Sequence, residues 1–314
     1  MKYNKEQEEL HKGMYELVDA VLKGYVQLSD AKLQIKKAIN DGLDLNYKKQ
    51  YVGEYEDIRL LEYTHYECQL YPSRWHTASI ELQQFFIEEG ARPVVGLSDK
   101  SFFNLSMEAC IAAPWNNVLE SEDIYKNVRF CLENGANPNW VVDQKDDIPL
   151  FHIACCNESA ELAELFIKHG ADVNSKHKTH YETLIQYHPI NNFPVHLATN
   201  HPELMQVLID SGADIHADDL HYGTPLHRAA AFPGNIEVIS ILLSAGADIN
   251  AKNKREGLTV LEEARRSYER INDPDFKSDV KRIIEFLESY QEKQKFEASI
   301  APIEGQATKK RTKI

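Results

Sequence analysis

No stretch of the chain stays apolar for the ~20 residues that a bilayer-spanning helix requires. Residues 1–10 are charged where a secretory signal would carry its apolar core. Cysteine is scarce: Cys68, Cys110, Cys131, Cys155 and Cys156 are odd in number, irregularly spaced and form no C-x-x-C pair. That usage fits a reducing compartment in which cysteines serve as small buried hydrophobes. Positive charge is in deficit, with 35 Lys and Arg against 49 Asp and Glu for a net charge of −14. So acidic a chain repels phosphate backbones, which argues against nucleic acid and makes a protein with a basic surface the natural partner. The expected setting is cytoplasmic, without membrane insertion.

Catalytic signatures are also missing. There is no phosphate-binding loop, no G-x-S-x-G, no H-E-x-x-H and no kinase signature. Six histidines fall between His169 and His201, but their spacing matches no recognised metal site. His65 and Cys68 could share a helix face, yet no third group is placed to orient them. The expectation is a non-enzymatic chain without catalytic, cofactor or metal residues. An unrecognised site in residues 1–128 is the enzymatic alternative.

What is present is a repeat. An apolar stretch followed by Gly, a small residue, Asp or Asn, an aliphatic residue or Pro, and Asn or His occurs as FCLENGANPN, LFIKHGADVN, VLIDSGADIH and ILLSAGADIN. Weaker copies are AINDGLDLN and FFIEEGARP. The glycines are Gly42, Gly90, Gly135, Gly170, Gly212 and Gly246, spaced by 48, 45, 35, 42 and 34 residues. Each should end a helix in the left-handed region, which Gly adopts without a Cβ penalty. Upstream lies a second element, clearest as Gly223-Thr224-Pro225-Leu226-His227-Arg228-Ala229-Ala230. There Thr224 can cap a helix, Pro225 suits its first turn, and the alanines permit close packing. Related versions start at Leu150, Phe193 and Gly257.

These two elements at this spacing resemble the ankyrin repeat, most strongly over residues 216–264 and well from about 128 to 215. The resemblance implies an all-α solenoid of stacked helix-turn-helix units. Seven helix pairs are expected, starting near residues 5, 55, 101, 148, 193, 223 and 257. It also implies that His152, His196 and His227 are structural, bonding neighbouring backbone. Residues 1–127 read as an N-terminal cap with degenerate ankyrin-like helix pairs, and 128–294 as ankyrin repeats closed by a capping helix. Residues 295–314 read as a disordered polar and basic tail.

Ankyrin proteins bind other proteins through their turns and concave face, so the same activity is expected here, in a protein that is itself monomeric. Trp140 follows Asn139 in one turn with Asp143 close behind, an aromatic beside a carboxylate of the kind that anchors interfaces. Residues 175–192 are longer than the family turn and offer His180 and Tyr181. The next turn offers Asp218, Asp219, His221 and Tyr222. Together these residues are the expected partner-binding set, an acidic and aromatic surface. Two specific roles fit it: an effector delivered by an intracellular bacterium into host cytosol, with the tail as signal, or an immunity-type inhibitor neutralising a basic toxin.

Overall fold

The computed structural model describes residues 5–46, 76–91, 107, 121–141, 148–176, 193–219, 223–231 and 236–311. Chain contacts divide the protein into two units, Met1–Val142 and Asp143–Ile314. The helix at Ser121–Glu133 packs with the described helix before it, inside the first unit.

In the first unit α1 (Lys5–Leu22) and α2 (Leu28–Asn40) form a helix pair, and α3 (His76–Glu88) and α4 (Ser121–Glu133) follow. The apolar side of α1 expected from Val18 and Val21 is buried, together with Ala31, Ile35 and Ala38 from α2 and Leu82, Phe85 and Phe86 from α3. Surface pairs Lys32–Glu81 at 3.3 Å and Lys36–Glu89 at 2.8 Å tie α2 to the next helix and its turn. Exposed pairs of this kind contribute little, so burial holds this unit together. The starts of the helix pairs expected near residues 55 and 101 lie outside the described residues, as do His65 and Cys68.

Among the described residues the second unit stacks four helix pairs: α5 (Leu150–Cys156) with α6 (Ala160–Lys168), α7 (Pro194–Leu197) with α8 (Pro202–Asp210), α9 (Pro225–Ala231) with α10 (Ile236–Ser244), and α11 (Val260–Arg270) with α12 (Pro274–Arg311). The first helices contact one another in sequence, α5 to α7 to α9 to α11, and the second helices α6, α8 and α10 form a parallel row. The nearly all-apolar sequence of α10 follows from this sandwiching, which buries Val238, Ile239, Leu242 and Leu243. Among the described residues there is no β-strand; isolated bridges include Asp219–Gly223 and Lys252–Thr259. α12 closes the stack with Val280, Ile283 and Leu287. It extends as helix to Arg311. Beyond Leu287 no described side chain is buried, and Phe296 is 66% exposed. Past Leu287 the described tertiary contacts are polar: Glu288 pairs with Arg265 at 2.6 Å, and Gln291 Nε2 donates to Asn250 Oδ1 at 3.3 Å.

The six recurring glycines all have positive φ, from 87° at Gly212 to 104° at Gly42. Each follows a helix whose end is closed by a backbone bond from the next residue to a carbonyl five positions earlier, as in Ala171 to Phe166 at 3.0 Å and Ala91 to Phe86 at 2.8 Å. The Asp or Asn two residues past the Gly then accepts the amide two positions on: Asn46 to Asp44, Asn139 to Asn137, Asn174 to Asp172, His216 to Asp214 and Asn250 to Asp248. Both units therefore carry the same turn, including the weakest copy around Gly42.

Successive turns are clipped together by the terminal Asn. Asn174 donates to the Gly212 carbonyl at 3.0 Å and accepts the Asp214 amide at 2.8 Å. In the first unit Asn46 donates to the Gly90 carbonyl at 3.2 Å. His216 occupies this position one repeat later, and its side chain makes no hydrogen bond among the described residues. Replacing His216 by Asn is expected to restore a clip to the Gly246 carbonyl and Asp248 amide, adding about 1 kcal/mol. A higher urea midpoint with an unchanged slope is the expected reading. An unmoved midpoint would show that these two turns lie too far apart for an Asn to span.

Candidate protein-binding face

Each first helix is preceded by a loop, here called a finger, and a histidine fixes the finger of the repeat that follows. His152 Nε2 lies 3.0 Å from the Ser175 carbonyl, His196 Nε2 lies 2.9 Å from that of Gly223, and His227 Nε2 lies 3.0 Å from that of Leu258. All three are buried. Burial pushes His196 and His227 below the usual imidazole range, which favours the neutral ring that donates from Nε2. Thr224 completes the arrangement by bonding His227 Nδ1 through its hydroxyl at 2.8 Å. The structural role expected of these histidines holds.

The finger at residues 216–223 turns its carboxylates inward. Asp219 is 1% exposed, its backbone forms the bridge with Gly223, and its Oδ2 lies 3.9 Å from His196 Nε2. Asp219, expected among the partner contacts, thus has its side chain turned into the repeat. Asp218 is half-buried, and its Oδ2 accepts the Lys254 amide at 3.1 Å, joining this finger to the next. The last finger is held by Asn253, whose Oδ1 accepts the amides of Glu256 and Leu258 at 3.0 and 3.3 Å. A capping box at Thr259 and Glu262 starts α11 directly behind it.

Projecting from these fixed fingers are Lys176, Lys252, Lys254, Arg255 and Glu256, all exposed. Lys176 Nζ stands 5.8 Å from the Phe193 ring centroid. Glu256 pairs with Arg255 at 3.6 Å and with Arg266, and the Arg266 hydrogen bond holds its carboxyl below the usual range. Behind the fingers the first-helix row presents half-buried Ile153, Leu197 and Arg228, with Arg228 Nε donating to Thr199 Oγ1 at 3.1 Å.

Trp140 lies in the first unit, half-buried, with its amide donating to the Asn137 carbonyl at 3.0 Å. Asp143, His180, Tyr181, His221 and Tyr222 lie outside the described residues. Sequence reasoning passed over the cations of residues 252–255, although the run Lys252-Asn253-Lys254-Arg255 stands at the finger position of a strong copy.

The described thiols are buried or half-buried. Burial pushes the Cys131 thiol up to about 12 and Cys156 up to about 11, and Cys155 rises well above the usual thiol range. Thiols so placed stay protonated and pack as small apolar groups. Among the described residues no three His, Cys, Asp or Glu side chains converge on a metal position, and no helix is long and apolar enough to cross a membrane.

Comparison with known proteins agrees with this geometry. The ankyrin repeat model matches residues 146–178, and a model of ankyrin repeats in three copies matches residues 180–253. Ankyrin repeat and SOCS box protein 6 of Homo sapiens is 36% identical over 110 residues, covering 34% of this chain and 24% of that protein. Its Mus musculus counterpart is 35% identical over 110 residues with the same coverage. The chain thus spans about a quarter of the length of these relatives. With stacked helix pairs, left-handed Gly turns and the histidine-to-finger bonds all in place, residues 146–253 are ankyrin repeats, which form a protein–protein interaction module.

Proposed function

We propose that the second unit holds a protein partner across its fingers and first-helix row, without catalysing a reaction on it. The observation that carries this reading is the fixing of each finger from behind by a buried histidine while its tip carries exposed side chains. Groups held in advance lose little freedom on binding, so a scaffold of this kind favours recognition. The half-buried Ile153 and Leu197 supply apolar contact behind a polar rim, the usual anatomy of a binding patch. In the first unit Trp140 is a second proposed contact, a half-buried aromatic on a turn. The finger residues Asp143, His180, Tyr181, His221 and Tyr222 belong to the same proposal by their place in the sequence.

Site-specific photo-crosslinking tests it. A benzophenone amino acid is placed at Lys254 on the last finger, at Leu197 on the first-helix row, or at Ser240 on the exposed side of α10. In lysate of the producing organism, one protein should be trapped from positions 254 and 197 and not from 240. Trapping only from 240 would move the interface to the second-helix row. No trapped protein from any position would overturn the binding reading.

A further inference from the structure

Asparagine occurs throughout the chain, but only at Asn134-Gly135 is it followed by glycine. A side chain in second place shields its own amide nitrogen from the asparagine before it, and glycine has none. Both residues are exposed, in the turn that ends α4. Nothing lies within 4 Å of where a Cβ on Gly135 would stand, so the space beside it is open. Two hydrogen bonds hold the pair. Asn134 Nδ2 donates to the Phe130 carbonyl at 2.9 Å, and the Gly135 amide donates to that of Leu132 at 3.1 Å. Both belong to a helix end, where opening costs least. Asparagines in the other described turns are placed differently. Asn174 has its side chain held by the Gly212 carbonyl and the Asp214 amide, with Ser175 after it. Asn139 is followed by Trp140 and Asn250 by Ala251.

We infer that Asn134 is a site of spontaneous deamidation in the folded chain, a slow covalent change that loosens the turn after α4. When the helix end opens, the Gly135 nitrogen gives its proton to water and attacks Asn134 Cγ. The new C–N bond closes an imide ring, and Nδ2 leaves as ammonia. Water then opens the ring at either carbonyl. Attack at Cγ gives aspartate, whereas attack at the Asn134 main-chain carbonyl leaves the chain running through Cβ as isoaspartate. Either product replaces the Nδ2 donor to Phe130 by a carboxylate, which opposes the dipole at a helix C-terminus. Isoaspartate also adds an extra carbon inside the stretch that brings the Ala136 amide to the Cys131 carbonyl at 3.0 Å. That bond closes α4, so the turn carrying Asn137 and Trp140 loses its fixed start. The change lies in the first unit and does not depend on what the second unit binds.

The test is ageing of the full-length chain at mildly alkaline pH, beside the same chain unfolded in urea. Tryptic peptides are read by mass spectrometry, and isoaspartate is labelled with isoaspartyl methyltransferase. In the folded chain the peptide containing Asn134 should gain the mass of an amide turned acid before the peptides of Asn139, Asn174 and Asn250 do. Its conversion should run several-fold slower than in urea, since only the open fraction of the turn reacts. Methyl labelling should fall sharply in Asn134→Gln, whose longer side chain closes a larger ring far less readily. The position is exposed, so that variant should keep the wild-type urea midpoint to within about 0.5 kcal/mol. In the converted fraction the Ala136 amide should exchange faster in deuterium oxide than in fresh protein. An Asn134 peptide still unchanged in the folded chain after the unfolded chain has converted would overturn the inference. Earlier conversion at Asn174, or full Ala136 protection in the converted fraction, would do the same.

Discussion

Phe166→Ala should destabilise the second unit by about 3–5 kcal/mol, the usual cost of removing a fully buried phenyl ring. Phe166 is 0% exposed and packs on Phe151, with ring centroids 5.9 Å apart and planes at 41°. Phe166 lies in α6, which contacts both α5 and α8, so the void would open between neighbouring repeats as well as within one. In a linear array stability is close to a sum of repeat and neighbour terms. The loss should therefore be local: amides of residues 150–176 should exchange faster in deuterium oxide, while those of α11 and the packed part of α12 keep their protection. Urea titration followed by circular dichroism would show a lower midpoint or a separate early transition. The exposed Leu33, at 71%, provides the control, since Leu33→Ala should change stability by less than about 0.5 kcal/mol. Equal effects of the two substitutions would mean that the pair at α5 and α6 does not share the core described here.

Much of the fold is legible in the sequence because its decisive features are local. A left-handed turn needs Gly at one position, and the Asp or Asn that bonds two residues on needs no distant partner. Six glycines therefore mark six turns, even around Gly42, where the surrounding sequence is far from the family pattern. The histidines are legible for a related reason, because the resemblance fixes both their place and the backbone they bond. What the sequence conceals is the fate of the finger charges. Asp218 and Asp219 look like a solvated acidic tip, since short runs of acids in loops usually are. Their burial depends on His196, more than twenty residues earlier, and on the Lys254 amide, 36 residues later. Neither partner can be read from periodicity.

Gly223→Ala should be the most damaging single change in the finger region, costing about 2–5 kcal/mol. Its φ of 80° is unfavourable for any side chain, which alone accounts for roughly 1–2 kcal/mol. An added Cβ would also stand 2.6 Å from Asn253 Cβ and 3.1 Å from His227 Cγ. Neither neighbour is free to yield. Asn253 is buried and holds the last finger through the Glu256 and Leu258 amides, and His227 is fixed between Thr224 and Leu258. Gly223 cannot retreat either, because its carbonyl accepts from both His196 and the Asp219 amide. Gly246→Ala separates the two causes. Its φ is 97°, but nothing lies within 4 Å of the added Cβ, so only the backbone cost of about 1–2 kcal/mol should appear. The excess at Gly223 would measure the close approach of two fingers, and equal midpoints for both variants would show that the fingers are not packed as described. The same clash should push the last finger away from Asp218 and release the Lys254 backbone. A Gly223→Ala chain that remains folded should then exchange the Lys254 amide faster in deuterium oxide than wild type does.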